Sequence, residues 1–88
     1  MDFDKQSNML KALGHPIRLK MVFGIAQYGC HVNKMVEKLG LPQSTVSQHL
    51  SILRNAGVVT FEKKGLQSCY CLADNKIIKL LKTLKDIG

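Results

Sequence analysis

A tight turn at Gly40-Leu41-Pro42 separates two short amphipathic segments, and this arrangement constrains the fold more than any other feature of the sequence. The segment from about Val32 to Leu39 places apolar side chains on one helical face and ends at Gly40. Pro42 precedes a second segment, which runs from Gln43 to about Asn55 and is closed by Gly57. The pattern therefore predicts two short helices joined by a tight turn.

The rest of the sequence predicts three further helices and one β-hairpin. The predicted helices cover Lys5 to Leu13, Pro16 to about Gln27, and Asp74, as a capping residue, to about Ile87. Val58 to Phe61 and Leu66 to Leu72 are the predicted strands, with a turn at Lys63-Lys64-Gly65. Helix, turn, helix and hairpin in this order are typical of a winged helix-turn-helix. The predicted fold is mainly α with a small β-hairpin, in the order α-α-α-α-β-β-α.

Length and charge bound the organisation of the chain and its partners. With 88 residues and no repeat or linker, residues 1–88 are expected to form a single domain. A chain this short has a marginal core, so it packs economically or shares a core with a second copy. Thirteen Lys and Arg against six Asp and Glu give a net charge of +7, and 45% of the residues are hydrophobic. A folded basic domain favours a polyanion or an acidic surface as its partner.

The sequence also argues against several locations and activities. No run approaches the roughly 20 apolar residues of a membrane span, and the polar start is not a secretory signal. The cysteines Cys30, Cys69 and Cys71 are odd in number, which favours free thiols in a reducing cytoplasm. No pair of acids stands in a catalytic arrangement and no glycine-rich phosphate loop is present, so an enzyme is not expected.

The segment after Pro42 is rich in short neutral polar side chains. Ser, Thr and Gln are mediocre helix formers, and an ordinary solvated face would carry Glu, Lys and Arg. The polar residues at helical spacing are Ser44, Ser47, Gln48 and Ser51, and the apolar stripe beside them is Val46, Leu50 and Leu53. Gln pairs with adenine through two hydrogen bonds, while Ser and Thr bind base edges or phosphates. This face therefore predicts a helix that enters the major groove of DNA.

Three blocks of sequence carry a family resemblance. They are residues 10–19 (LKALGHPIRL), 39–50 (LGLPQSTVSQHL) and 53–59 (LRNAGVV). Together they resemble the ArsR/SmtB family of winged-helix repressors, over about residues 8 to 73. The resemblance implies a homodimeric, cytoplasmic, prokaryotic repressor that binds an operator in double-stranded DNA and releases it when an inducer binds.

By position, the resemblance also implies which residues contact DNA. Together with Ser51 of the polar face, the candidates in the recognition helix are Gln43, Ser44, Thr45, Ser47, Gln48 and His49. Lys63 and Lys64 fall in the wing and are favoured as phosphate contacts over a merely solvated turn. Leu66 stands where the family often has a basic residue, and Pro42 stands where it usually has a capping Ser.

Two side chains keep more than one interpretation. Arg54 either clamps a phosphate or satisfies the last carbonyls of its helix, and the second interpretation is slightly favoured. His49 lies beside the apolar stripe, and a packing or phosphate-contact role is favoured over base reading.

The metal sites known in the family do not carry over to this chain. The arsenic and cadmium type uses Cys-x-Cys at the start of the third helix, where this chain has His31 and Asn33, with Cys30 one residue early. The zinc, nickel and cobalt type uses Asp and His pairs on the last helix, which here has Asp74 but no His. No cofactor and no metal ligand are therefore expected.

The cysteines leave a second hypothesis open. Cys69 and Cys71 are two residues apart on a predicted strand, so both face one side, while Cys30 is distant in sequence. Neutral cysteines pack as small hydrophobic residues, whereas thiolates bind soft metals or As(III), or become oxidised. The chain is then either a repressor without thiol control or a thiol-based sensor of the same fold.

The last predicted helix has an apolar stripe wider than one small core needs. With the first helix it predicts a homodimer, and Phe3 is a further candidate for the interface. The predicted interface residues are Leu10, Leu13, Ile77, Leu80, Leu81 and Leu84. A twofold axis there sets two recognition helices about 34 Å apart on one face of the DNA. Leu81→Asp is expected to yield monomers.

The predicted function is therefore a sequence-specific transcriptional regulator, a homodimeric repressor on an inverted-repeat operator. Besides the thiol sensor, the alternatives are a winged-helix protein-interaction module and a winged helix that binds RNA or acts architecturally. An interaction module would expose an apolar patch in place of the polar face after Pro42.

Overall fold

The computed structural model describes residues 1–29 and 37–88, apart from the side chains of residues 64, 67 and 68. Within these residues it contains four long helices, a short helical stretch at 37–39 and one antiparallel two-stranded sheet. The elements are α1 (Phe3–Leu13), α2 (Pro16–Tyr28), α3 (Gln43–Asn55), β1 (Val59–Lys64), β2 (Gln67–Leu72) and α4 (Asn75–Ile87). Most of the helix predicted from Val32 to Leu39 lies outside the described residues.

Local capping explains where the helices begin. The side chain of Asp2 accepts a hydrogen bond from the Lys5 backbone N–H, so α1 starts two residues earlier than predicted. Asp74 caps α4 in the same way, through the Lys76 N–H at 2.8 Å. Pro42 precedes α3 without a side-chain cap, and its φ of −58° sets the chain direction instead. The predicted bounds of α3 are confirmed.

A Schellman turn joins α3 to β1 and fixes the hairpin against the helix. The Val58 N–H donates to the Leu53 carbonyl at 3.0 Å, and the Gly57 N–H donates to the Arg54 carbonyl at 3.1 Å. Gly57 has φ 78°, the left-handed conformation that this turn requires. Leu53 and Val58 are both fully buried, so the turn is anchored in the core.

The hairpin is longer than predicted and its turn lies further along the chain. Lys63 and Lys64 end β1, and Lys64 pairs with Gln67 across the sheet. The two turn residues are therefore Gly65 and Leu66. Gly65 has φ 61°, and a two-residue hairpin turn with a single positive φ places glycine at this first position. The prediction that both lysines form the turn is wrong, because the strand pairing continues through them.

All four helices and the hairpin contribute to one core, which includes the predicted stripe of Val46, Leu50 and Leu53 on α3. The same core corrects the predicted dimer surface. Leu13, Ile77 and Leu81 are buried within one chain, so these three offer little surface to a partner. Because Leu81 is 2% exposed, we expect Leu81→Asp to place a carboxylate in the core and to unfold the protein, so this variant does not report on dimerisation alone.

Candidate nucleic-acid interface

The polar face of α3 is an exposed surface of short neutral polar groups. Of the predicted contact residues, those exposed on this helix are Gln43, Ser44, Ser47, Gln48 and Ser51. Thr45 and His49 are partly buried at its margin. The helix has no acidic residue in its sequence, so nothing on it repels a phosphate. The face can therefore offer hydrogen bonds to base edges and to phosphates together.

The hairpin adds a basic extension beside α3. Lys63 is exposed near the end of β1, while the side chain of Lys64 lies outside the described residues. Leu66 at the tip is fully exposed. The wing thus presents a cation on the strand and an apolar side chain at the turn.

Arg54 links α3 to the hairpin in a way that neither sequence interpretation anticipated. Its guanidinium carbon lies 5.7 Å from the ring centroid of Phe61 on β1. Phe61 in turn meets the Tyr70 ring edge-on at 5.1 Å across the sheet. The favoured interpretation, in which Arg54 satisfies helix carbonyls, is replaced by a stack that supports the wing.

A pair of histidines connects α3 to the start of α2. The ring centroids of His15 and His49 are 4.9 Å apart, with the planes tilted by 50°. His15 caps α2 by accepting the Ile17 N–H on Nδ1 at 3.1 Å. Sequence reasoning missed His15 because capping residues are sought among Ser, Thr, Asp and Asn. The available signal was an imidazole directly before a proline at the first helical position.

The surroundings of His49 disfavour its charged form. Burial lowers the pKa of His49 below its ordinary value of 6.5, and the neighbouring His15 and Arg18 lower it further. Its Nδ1 is buried and has no hydrogen-bond partner among the described residues. His49 is therefore an uncharged side chain at neutral pH.

This pKa predicts how stability varies with pH. We expect the free energy of unfolding to be greatest above pH 6.5 and to fall as the pH decreases below that value. The reason is that the unfolded chain takes up a proton at His49 that the folded chain resists. Urea unfolding between about pH 5 and pH 8 measures the effect, and His49→Gln should remove this part of it. The same profile in wild type and variant would contradict the assignment.

One of the described cysteines differs from the prediction of free thiols. Cys69 is fully buried in β2 and disulfide-bonded, so the prediction is wrong for this residue. Its pairing depends on tertiary proximity, which a count of cysteines does not reveal. Cys71 is free and partly buried, and Cys30 lies outside the described residues. A thiol sensor built on these three residues stays a prediction.

In the part of the chain that the structure describes, neither a metal site nor a membrane-spanning helix is found. No group of three or more His, Cys, Asp or Glu side chains there is placed to hold a metal ion. No helix there is both long enough and apolar enough to cross a membrane.

An apolar groove runs between α1 and α4 on another surface. It encloses about 830 Å³ and is lined in part by Phe3, Leu10 and Leu80. Leu84 and Ile87 continue the exposed apolar residues along α4. Of the predicted dimer residues, Leu10, Leu80 and Leu84 are therefore the ones at the surface.

Comparisons with known proteins agree with this architecture. The chain is 33% identical to an uncharacterised HTH-type transcriptional regulator of Methanocaldococcus jannaschii, over 97% of both chains. It is 38% identical to the transcriptional repressor SmtB of Mycobacterium tuberculosis, over 89% of this chain, and spans 58% of that relative's length.

Solved structures show the same fold. The crystal structure of the transcriptional repressor PagR of Bacillus anthracis matches with a TM-score of 0.82 and 34% identity, covering 96% of this chain and 97% of that one. A homodimeric winged helix-turn-helix DNA-binding domain of Mycobacterium bovis matches with a TM-score of 0.87 and 24% identity, covering 97% of this chain and 79% of that one. The fold is thus a winged helix-turn-helix, as the sequence predicted.

The family model described as bacterial regulatory protein, arsR family, matches residues 15–60, which include α2, α3 and the histidine pair. That match covers more than half of the 88 residues. The chain therefore belongs to the ArsR family of bacterial regulatory proteins.

Proposed function

We propose that this protein is a homodimeric transcriptional repressor that binds an inverted-repeat operator in double-stranded DNA. The observation that carries the proposal is the exposed, neutral polar face of α3, which is held on the core by three fully or almost fully buried residues and lies beside a basic hairpin. A rigid helix with short polar groups and no acid suits the major groove.

The residues divide into two roles. On α3, the proposed contacts with bases and nearby phosphates are Gln43, Ser44, Thr45, Ser47, Gln48, His49 and Ser51. Lys63 and Lys64 of the wing are proposed to bind phosphates, which position the protein without reading sequence. Gln48 is the proposed reader of an adenine, because it is exposed and its amide offers a donor and an acceptor together.

Dimerisation is proposed through the exposed apolar residues of α1 and α4. Leu10 and Leu80 border one groove, and Leu84 continues the exposed apolar residues along α4. An exposed apolar surface of this kind is rare on a monomer. The homodimeric domain from Mycobacterium bovis, which has the same fold, supports a dimer. Two copies related by a twofold axis would read two half-sites about 34 Å apart.

Residues 1–88 are proposed to act as one domain in the cytoplasm. Because the helices and the hairpin share one core, we treat residues 1–88 as one DNA-binding domain. Its proposed partner is chromosomal DNA, so the proposed location is the cytoplasm. Regulation by DNA binding needs no catalytic activity, and none is proposed.

Selection of duplexes from a random-sequence pool tests the function. We expect enrichment of an inverted repeat whose half-sites are centred about one helical turn apart. Binding should weaken steeply as salt increases, and an RNA of the same sequence should bind no better than random RNA. A pool that yields no enriched duplex would contradict the proposal and favour a protein-interaction module.

The wing is expected to contribute a measurable share of the salt dependence of DNA binding. Replacing Lys63 with Ala removes one phosphate contact from each subunit, so the slope of log affinity against log salt should fall by about 2. The loss should be equal on the selected duplex and on random DNA, since phosphates carry no sequence. Lys82→Ala, an exposed lysine on α4, is the matched control and should leave the slope unchanged. An unchanged slope for Lys63→Ala would remove Lys63 from the interface.

A further inference from the structure

The contact between His15 and His49 is the one described ring contact between the start of α2 and the recognition helix. His15 stands immediately before α2, and His49 lies on α3 between exposed Gln48 and buried Leu50. Their ring centroids are 4.9 Å apart. The contact between these two rings therefore lies at the boundary between the core and the polar face of α3.

Capping requires that His15 carry no proton on Nδ1. This nitrogen accepts the Ile17 N–H at 3.1 Å, and an imidazolium has only donors to offer. A positive charge at this position would also oppose the positive end of the α2 dipole. The observed geometry thus has the His15 Nδ1 as a hydrogen-bond acceptor.

The groups acting on His49 are cationic or become so on protonation. Among the described residues they are His15 and Arg18, both from the start of α2, with no carboxylate. Arg18 is held in place by its bonds to α1, where its Nε donates to the Ala12 carbonyl at 2.7 Å. A proton on either imidazole would therefore meet repulsion that the site has no acid to offset.

We propose that His15 and His49, through the contact between their rings, are positioning residues that hold α3 at the angle at which its polar face reads DNA. This inference rests on the proposed DNA-binding function. Neither ring needs to touch a base for the effect, because the contact acts through the orientation of α3. A proton on His49 weakens the ring contact and lets the helix shift, while the phosphate contacts of the wing remain.

The affinity for the selected duplex is expected to change with pH in the direction opposite to that of an ordinary basic DNA-binding protein. A basic protein ordinarily binds DNA more tightly as its histidines gain charge, because each new cation displaces a counterion. Here affinity for random DNA should follow that ordinary trend. Affinity for the selected duplex should fall on acidification, so the ratio of the two affinities decreases severalfold as the pH is lowered from about 8 to about 5, through the range below pH 6.5 in which His49 gains its proton.

The experiment measures both affinities for the wild type and two variants at constant ionic strength. The duplex is the one enriched from a random pool at about pH 8. His15→Asn keeps a good capping group but removes the ring, and His15→Phe keeps a ring but removes the cap. Urea unfolding at each pH gives the folded fraction, by which every affinity is corrected.

The two variants separate positioning from simple capping. If the ring contact positions α3, His15→Phe should retain the wild-type selectivity at about pH 8, whereas His15→Asn should already have the low selectivity of the acidified wild type. If His15 serves only as a cap, the ranking should be reversed. That reversal, or a wild-type selectivity that is constant or rises on acidification, would overturn the inference. Failure to enrich any duplex would instead contradict the proposed function.

Discussion

Replacing Leu80 and Leu84 with Asp is expected to convert the dimer into folded monomers and to reduce affinity for the selected duplex by about 100-fold or more. Both leucines are exposed at the surface of one chain, so two carboxylates there remain solvated in the monomer but would be buried without partners in a dimer. The loss of DNA affinity follows because each monomer must then bind its half-site independently.

Sedimentation at micromolar concentration and circular dichroism measure the two effects together. Lys82→Asp, another added carboxylate on α4, is the matched control and should leave the dimer intact. Leu81→Asp is the contrasting variant, since Leu81 is only 2% exposed and its replacement should abolish the folded signal. A double variant that stays dimeric would show that the subunits associate through another surface.

Gln48→Ala should lower affinity for the selected duplex by roughly 30-fold or more, because each of the two subunits loses one base pair read in two hydrogen bonds, at about 1–3 kcal/mol each. Affinity for random DNA should barely change, because the lost amide contacts a base edge and not the backbone. Competition binding against both duplexes gives the two values from one titration.

Ser51→Ala, which truncates an exposed polar residue near the other end of the same face, is the matched control for Gln48. A neutral hydroxyl contributes less discrimination than an amide that bonds twice, so its effect should be smaller. Equal losses on both DNAs for Gln48→Ala would contradict the assignment of Gln48 as a base reader.

The sequence was most informative where structure depends on local signals. The bounds of α3 follow from Pro42, the apolar stripe and Gly57, all within one short segment. The family resemblance, drawn from three short blocks, was confirmed by the family match. The hairpin turn was misplaced because a strand of charged residues has weak strand propensity, and only pairing with β2 extends β1 through Lys63 and Lys64.

Other features could not be predicted from the sequence, because they depend on contacts between residues that are far apart along the chain. An apolar stripe on a helix does not reveal which of its residues pack in the core of its own chain. Ile77 and Leu81 do so on α4, while Leu80 and Leu84 remain exposed. The meeting of His15 with His49 and the stacking of Arg54 on Phe61 likewise depend on how separate elements pack.

The bonds of Arg18 have a consequence for cooperation between subunits. Its guanidinium donates to the carbonyls of Ala12 and Lys11, so the end of α1 is fastened to α2, whose capping imidazole in turn touches α3. The helix α1, which carries Leu10 of the proposed interface, is therefore linked through α2 to α3, the helix proposed to read the operator. Coupling between two binding equilibria is reciprocal. Operator binding must therefore strengthen subunit association by the same factor by which subunit association strengthens operator binding. DNA should then hold the dimer together at protein concentrations where the free protein dissociates.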